Sequence, residues 1–505
     1  MSLISLWFPA LVLISAVIYY LVPKKRRWLV LLAASFVFYL WGGIGHAAYI
    51  VITAVSTYLC GLWLQRIRDK NEAARVKKLR RPVVFLACLI NFGMLFAIKY
   101  WDLALDMAGL RLPRLGLAAP LGLSFFIFQS IGYVADVARG KVKAEENILK
   151  FSLFVSFFPQ ITEGPIGRYG ALAPQLYEGN DLDFENIRSG LQLSMWGLIK
   201  KLVIAERAGV IVAKVYSNGG AYDGAVIAFA VLMYCVQLYC DFSGGVDIAR
   251  GAAKCFGIDM AENFKRPIFA KTLTEYWRRW HISLGAWLRD YVFYPLTFTK
   301  LFNRIGKFTR KHVGGTLGRI IPTSLATFII YFLVGIWHGA NYTYIAFGLY
   351  NGLLITSGLL MAPAFEKLRT RLKIGPKTRW FSAFSMGRTM LIVFIGRYIT
   401  RAPYLKMALV MLKRTVADFH LSALFSGVIQ SLGMTGLDLI VVAAGVILIN
   451  AVELIEERGT DVRLALAKKS GFVQWVCMAL PLAIIVVAAL LSGDYTASSF
   501  IYAQF

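Results

Sequence analysis

Acidic residues are scarce in this chain: 28 Asp and Glu stand against 55 Lys and Arg in 505 residues, and charged side chains of either sign make up only 16%. With 58% hydrophobic residues and a mean hydropathy of +0.61, this excludes a soluble domain, because a chain of this length cannot hide so much apolar surface from water. Six cysteines (Cys60, Cys88, Cys235, Cys240, Cys255 and Cys477) make no C-x-x-C pair and no Cys/His spacing suited to zinc. Neither a structural disulfide nor a metal site is therefore expected. There is no G-x-S-x-G nucleophile elbow, no Walker A loop and no H-E-x-x-H, which removes the hydrolase, nucleotide-binding and zinc-protease readings. Gly43-Ile-Gly-His-Ala-Ala48 matches a loose dinucleotide fingerprint but lies between two apolar runs, without a βαβ unit, and is discounted. No internal repeat of transporter type is visible.

What is present is a series of apolar runs of spanning length: Leu3–Val22, Trp28–Leu64 (long enough for two segments), Val83–Ala97, Ala225–Cys240, Ile320–Phe365, Leu439–Val452 and Phe472–Leu491. These predict an all-α polytopic integral membrane protein with about ten to twelve transmembrane or re-entrant helices, each of roughly 20 residues. Barrel strands are too short to explain such runs. The first run lacks a basic n-region and an A-x-A site and reads as a first span, not a cleavable signal peptide. The net charge of +27 is clustered in short segments, among them Lys24–Arg27, Arg66–Arg81, Arg139–Lys143, Lys300–Arg319 and Lys367–Arg379. Placing all of these in the cytoplasm gives a consistent alternation, with the N-terminus, Gly42–His46, Asp102–Ala119 and Ala402–Gly436 outside. Because the charge is divided among loops, it argues for topology and anionic lipid and against nucleic acid. A basic inner face would also attract an acidic carrier protein or coenzyme A.

His338 stands out against this background. It sits in a stretch of 46 residues, Ile320 to Phe365, that contains no Asp, Glu, Lys or Arg. An imidazole there is the one side chain able to exchange a proton near neutral pH, and a titratable group in such surroundings is a functional-site candidate. The alternative is a core histidine satisfied by a backbone carbonyl. The densest polar block, Asp241 to Leu296, supplies further candidates: Asp241, Ser243, Trp277, Trp280, His281, Arg289 and Asp290. Thr274 as N-cap would start a helix placing Trp277, Trp280, Leu284 and Trp287 on one face, with His281 beside them. An interfacial helix with Arg278 and Arg279 snorkelling would explain the aromatics equally well. Between Pro120 and Leu176, Gln129 and Asp136 share a helix face. The Pro- and Gly-rich Phe157–Arg168 segment reads as irregular backbone lining a cavity, or else as a simple loop.

At these residues the chain resembles the membrane-bound O-acyltransferase family. The runs that carry the resemblance are Gln237-Leu-Tyr-Cys-Asp241-Phe-Ser-Gly, Glu262-Asn-Phe-Lys-Arg-Pro267, Tyr276-Trp-Arg-Arg-Trp-His281-Ile-Ser-Leu, Trp287-Leu-Arg-Asp290-Tyr and Gly335-Ile-Trp-His338-Gly-Ala. Phe157-Phe-Pro-Gln160, Gly164-Pro-Ile166, Tyr20-Leu-Val-Pro23, Phe38-Tyr39 and the ending Phe500-Ile-Tyr-Ala-Gln-Phe505 extend it over nearly the whole chain. It is similar to the branch that acetylates alginate and other exopolysaccharides, and more distantly to the branch that D-alanylates teichoic acid. It departs from the branch at Tyr294-Pro-Leu-Thr-Phe and at Ile395–Ala402.

The resemblance implies one transmembrane domain over 1–505, with N-terminal helices to 119, a core over 120–365 and C-terminal helices over 366–505. It implies a tunnel or funnel converging on His338, with His281 nearby and assisting. Gln129, Asp241, Ser243, Trp277, Trp280, Arg289, Asp290, Trp337 and Asn341 would line the passage. The reaction expected is O-acyl transfer, with His338 as base or as a transient acyl carrier. No tightly bound cofactor is expected; the donor would be an acyl thioester, either acetyl-coenzyme A or an acidic acyl carrier. The acceptor would be a polysaccharide, reached directly or through an extracytoplasmic SGNH-type partner, and the location a bacterial inner membrane. D-alanyl transfer, or a non-catalytic transporter using His338 as a proton relay, are the competing readings.

Overall fold

The computed structural model describes residues 2–41, 43–117, 119–375, 378–491 and 500. Among these every regular element is a helix, and the only β-pairing is an isolated antiparallel bridge between Phe264 and Trp280. Among the described residues seven helices are long and apolar enough to cross a membrane: Gly45–Lys70, Ala73–Lys99, Gly224–Lys254, Leu317–His338, Tyr342–Arg371, Gly436–Glu457 and Gly471–Ala488. The other apolar runs break into shorter helices, of which Trp7–Leu21 is the first. The long run from Trp28 divides as expected, into Arg27–Leu40 and Ile44–Lys70. Between them Gly43 takes φ +112°, which a side chain would not tolerate.

The chain forms two compact units. The first comprises Met1–Leu202, Cys240–Glu262 and Arg463–Phe505, and the second Val203–Tyr239 and Asn263–Val462. In the first, helix Leu123–Arg139 is enclosed on nearly all sides. It packs on Ile44–Lys70, Ala73–Lys99 and Ile148–Ser156. Its fit is set by small residues: a Cβ on Gly61 would lie 2.6 Å from the Tyr133 hydroxyl, and one on Gly122 would strike the Ile161 carbonyl. Gly140, in the left-handed region, ends the helix, and the Lys141 N–H closes on the Asp136 carbonyl (2.9 Å). The Phe157–Arg168 segment is irregular and buried, wrapped by Gly164 and Gly167 around the Gln160 side chain. Irregular backbone is thus covered by protein, as a membrane setting requires.

In the second unit Leu317–His338 and Tyr342–Arg371 form a tight helical hairpin. They cross where both carry glycine: a Cβ on Gly335 would come within 2.8 Å of the Gly348 Cα and 2.6 Å of the Tyr344 carbonyl. Lipid gives helices no hydrophobic reason to associate, so close backbone contact through small residues takes over that role. At 1.5 Å per residue the 22-residue helix Leu317–His338 is about 33 Å long, so it carries its last residue across a hydrocarbon core of about 30 Å. The basic cluster before it forms an amphipathic helix, Lys300–Val313. Phe302, Gly306 and Thr309 are buried, and Leu301, Phe308 and Val313 are exposed beside its lysines and arginines.

Gly335 lies three residues before His338, so this crossing should be intolerant of volume. Gly335→Val is expected to lower stability by at least the 1–3 kcal/mol typical of overpacking, read as a lower unfolding midpoint in detergent.

Candidate active site

The stretch around His281 does not fold as one helix. Thr272, not Thr274, is the N-cap: its hydroxyl accepts from the Glu275 N–H (3.1 Å), and the Glu275 carboxylate accepts from Lys271 N (2.9 Å). Helix Leu273–Arg279 then stops, and a second helix, Ile282–Leu288, begins. Between them Trp280 is extended and pairs with Phe264. The flanking bonds run from Lys265 N to Arg279 O (2.9 Å) and from Ile282 N to Asn263 O (3.0 Å). This cross-connection holds His281 at φ +49°, ψ +54°, a conformation rare for a residue with a β-carbon. The expected tryptophan stripe therefore does not lie on one helix. Helical spacing could not foresee the break, because a distant segment causes it.

Asn263 settles the chemistry of His281. Its Oδ1 accepts from Ser283 N (2.9 Å) and Ser283 Oγ (2.9 Å), and lies 3.3 Å from His281 Nδ1. A backbone N–H can only donate, so the atom facing it must be the amide oxygen; this fixes the orientation of the carboxamide. An oxygen facing Nδ1 requires that Nδ1 carry the proton, which leaves the lone pair on Nε2. His281 is 3% exposed and lies outside the seven spanning helices. Burial, with the neighbouring His338, pushes its pKa well below the usual histidine range, so it is neutral. A neutral imidazole of this tautomer accepts at Nε2. It cannot polarise a carbonyl from that nitrogen, which has a lone pair and no proton.

His338 ends the helix Leu317–His338 and is half-buried. The Trp337 indole is flanked by both imidazoles, with ring centroids 5.7 Å from His281 and 5.0 Å from His338. Tyr344 stacks on His338 at 6.0 Å and Phe347 meets it edge-on at 6.1 Å. Trp277 donates to Asn351 Oδ1 (3.1 Å) and packs against Tyr331 and Phe347. Trp280 stacks on Tyr276. Arg397, 4% exposed, lies over the Trp280 ring and donates to the Tyr276 hydroxyl (2.9 Å). Arg397 belongs to the Ile395–Ala402 segment where the sequence departs from the family branch, and pattern reasoning did not select it.

Other expected lining residues have different surroundings. Arg289 is exposed and pairs with Asp290 (3.2 Å) on a π-helical turn, Arg289–Phe293. Asn341 caps helix Tyr342–Arg371 through Thr343 N (3.0 Å) and donates to the Pro403 carbonyl (3.2 Å). Arg279 does not snorkel; it binds Glu275 (2.8 Å) and Glu457 (3.0 Å), and Arg266 joins Glu457 at 2.7 Å. The Glu275–Arg279 spacing of four was a visible signal; Glu457 was not. Asp223, Asp418 and His420 converge at the surface, where His420 pairs with Asp223 (2.8 Å) and Arg414 with Asp418 (3.2 Å).

Gln129, Asp241 and Ser243 belong to the first unit. Gln129 donates to the Phe154 carbonyl and accepts from Gln160 Nε2 (2.7 Å), within a crevice lined by Phe125, Phe126, Phe154 and Phe157. Asp241 holds Lys201 (2.6 Å), and Ser243 and Asp247 hold Lys200 (3.0 and 2.5 Å). All four charged groups are largely buried, and Lys201 also lies over the Phe500 ring (4.8 Å). Residues 501–505 of the family-like ending lie outside the described residues.

The sequence signature of MBOAT, the membrane-bound O-acyltransferase family, matches residues 143–396. The probable alginate O-acetylase AlgI of Pseudomonas syringae pv. tomato is 33% identical over 405 residues, covering 77% of this chain and 70% of that protein. The peptidoglycan O-acetyltransferase of Helicobacter pylori is 28% identical over 422 residues (77% and 73%). The teichoic acid D-alanyltransferase of Bacillus subtilis is 26% identical over 317 residues (62% and 76%).

Two outcomes follow from these charges. Lys201→Met removes the ammonium from a buried ion pair and should cost about 3–5 kcal/mol in detergent unfolding, whereas Lys201→Met with Asp241→Leu should recover most of it. For His281 the unfolded chain takes up a proton near pH 6.5 while the folded one resists it. Stability should therefore fall as pH drops below about 6.5, and His281→Gln should flatten that slope.

Proposed function

The chain belongs to the membrane-bound O-acyltransferase family, and from that premise we propose that it moves an acetyl group from a cytoplasmic thioester to hydroxyls of an extracytoplasmic polysaccharide in a bacterial inner membrane. The observation that carries this reading is the pair of imidazoles flanking Trp337, one neutral and buried, the other at the end of a helix free of charge beyond Arg319. The acetyl group and polysaccharide acceptor follow the named activities of the alginate and peptidoglycan relatives. A further extracytoplasmic carrier of SGNH type would complete delivery.

In the proposed reaction His338 accepts the proton of the attacking hydroxyl as its oxygen bonds to the thioester carbon. The tetrahedral intermediate collapses, the C–S bond breaks, and the departing thiolate takes that proton from the imidazolium. One thioester and one alcohol become one ester and one thiol, with no net proton change. His281, accepting at Nε2, can hold a second hydroxyl or an N–H of a bound substrate beside the reacting hydroxyl, whose single proton goes to His338. The apolar and aromatic surroundings keep water from the thioester.

His338→Ala is expected to abolish acetyl transfer while membrane insertion and detergent stability persist; retained transfer would sink the assignment. His281→Ala should reduce the rate severely, and an unchanged rate would leave it a structural histidine. Offering membranes labelled acetyl-coenzyme A in parallel with a D-alanyl-charged carrier protein should show incorporation from the acetyl donor alone.

A further inference from the structure

Helix Lys300–Val313 carries charge that the reaction above leaves unused. Its buried face packs on Leu317–His338: a Cβ on Gly306 would lie 3.6 Å from the Pro322 ring, and the Thr309 hydroxyl donates to the Gly318 carbonyl (2.7 Å). The opposite face presents Lys300, Arg304, Lys307 and Lys311, whose spacing of four, three and four makes one exposed stripe. No Asp or Glu occurs from Tyr291 to Phe365, and among the described residues none of the four is held in an ion pair. Beside the stripe Phe308 is exposed. His312 stacks on it with ring centroids 4.3 Å apart, its Nδ1–H donating to the Phe308 carbonyl (2.9 Å). Uncompensated cations alongside a spanning helix are stable only in water or against an anion. Cations next to a preset aromatic pair suit a ligand that joins phosphates to a purine, since the base stacks while the charged groups bind oxygen.

The two helices run antiparallel, with Thr309 against Gly318 and Gly306 against Pro322, so Lys300 is the end of the stripe nearest His338. From Pro322 to His338 the rise is about 24 Å and from Gly306 back to Lys300 about 9 Å, which leaves about 15 Å along the axis. A pantetheine arm has about thirteen bonds from phosphorus to sulfur and, at the extended-chain rise, reaches about 15 Å. A phosphate at Lys300 therefore brings a thioester to the level of His338. Phe308 lies about 12 Å the other way, room for the ribose and diphosphate.

We propose that this face docks the 3′-phosphoadenosine diphosphate of an acyl-coenzyme A. The adenine stacks on Phe308 and His312, the phosphates bind the four cations, and the pantetheine arm runs along Leu317–His338 towards the imidazole. The inference rests on the acyl-transfer reading above and deepens it. The donor is recognised by its nucleotide, which the phosphopantetheine of a carrier protein lacks.

Purified protein in phosphatidylcholine nanodiscs can be offered acetyl-coenzyme A or S-acetylpantetheine, which keeps the thioester without the phosphates and purine. Replacing all four cations (Lys300→Gln, Arg304→Gln, Lys307→Gln, Lys311→Gln) should lower the kcat/KM ratio of the first donor to the second roughly 10–100-fold, as expected for four exposed charge contacts. The ratio cancels any loss of folded enzyme. Phe308→Ala should weaken equilibrium binding of coenzyme A roughly tenfold, with a smaller change for 4′-phosphopantetheine. An unchanged ratio overturns the inference. If the four-fold variant also loses phosphatidylglycerol that the wild type retains in mixed-lipid nanodiscs, the stripe is a lipid contact instead. Wild-type transfer from either donor that does not depend on His338 would overturn the acyl-transfer reading, while coenzyme A binding, which needs no turnover, still tests the site.

Discussion

The hairpin of the second unit is set by two backbones with no side chain between them. At Gly335 and Gly348 the helices of the Leu317–His338 hairpin touch main chain to main chain, and the placement of the imidazoles follows from that contact. His338 is less than one helical turn beyond Gly335, and Tyr344 and Phe347, which enclose it, flank Gly348 on the other helix. A helix pair that meets backbone to backbone through van der Waals contact is rigid only if the fit is close. The crossing therefore sets both the position and the precision of His338.

A second constraint is the low dielectric around these groups. It makes every unpaired polar atom expensive, and the fold answers with short hydrogen-bonded networks. Asn263, Ser283 and His281 form one; Arg279, Arg266, Glu275 and Glu457 form another. Their roles differ. The arginine network ties helix Leu273–Arg279 to the end of Gly436–Glu457 and braces the break at Trp280 from outside. The carboxamide network acts from inside, holding the strained His281 backbone and choosing the proton position on its ring. A strained residue persists only where its surroundings over-determine it, and here two sets of bonds do so.

Much of this was legible in the sequence, and the exceptions have physical causes. The spanning runs, the division after Trp41 and the isolation of His338 rest on local composition, which determines helix formation in an apolar solvent. The break at Trp280–His281 rests on Phe264, sixteen residues away, and no helical periodicity reports a β-bridge. Asn263 was visible only as part of a family-like run, because its importance lies in which atom faces a backbone N–H. Arg397 and Glu457 were hidden for the same reason: each is paired with a residue far along the chain. Residue type and spacing located the histidines, but Arg289 and Asn341, chosen by proximity in sequence, have a surface ion pair and a helix cap as their partners.

The buried lysines of the first unit carry a consequence for how the chain enters a membrane. Lys200 and Lys201 lie on the π-helical turn Ile199–Ala205, and their carboxylate partners, Asp247 and Asp241, come 47 and 40 residues later. During synthesis both ammonium groups emerge well before either carboxylate exists, and each would oppose entry into the hydrocarbon by about 2.5–3.5 kcal/mol. Burial of the two lysines therefore has to follow the arrival of the helix Gly224–Lys254, which brings both carboxylates. Insertion of this part of the chain is a step of assembly, not the sequential threading of independent helices.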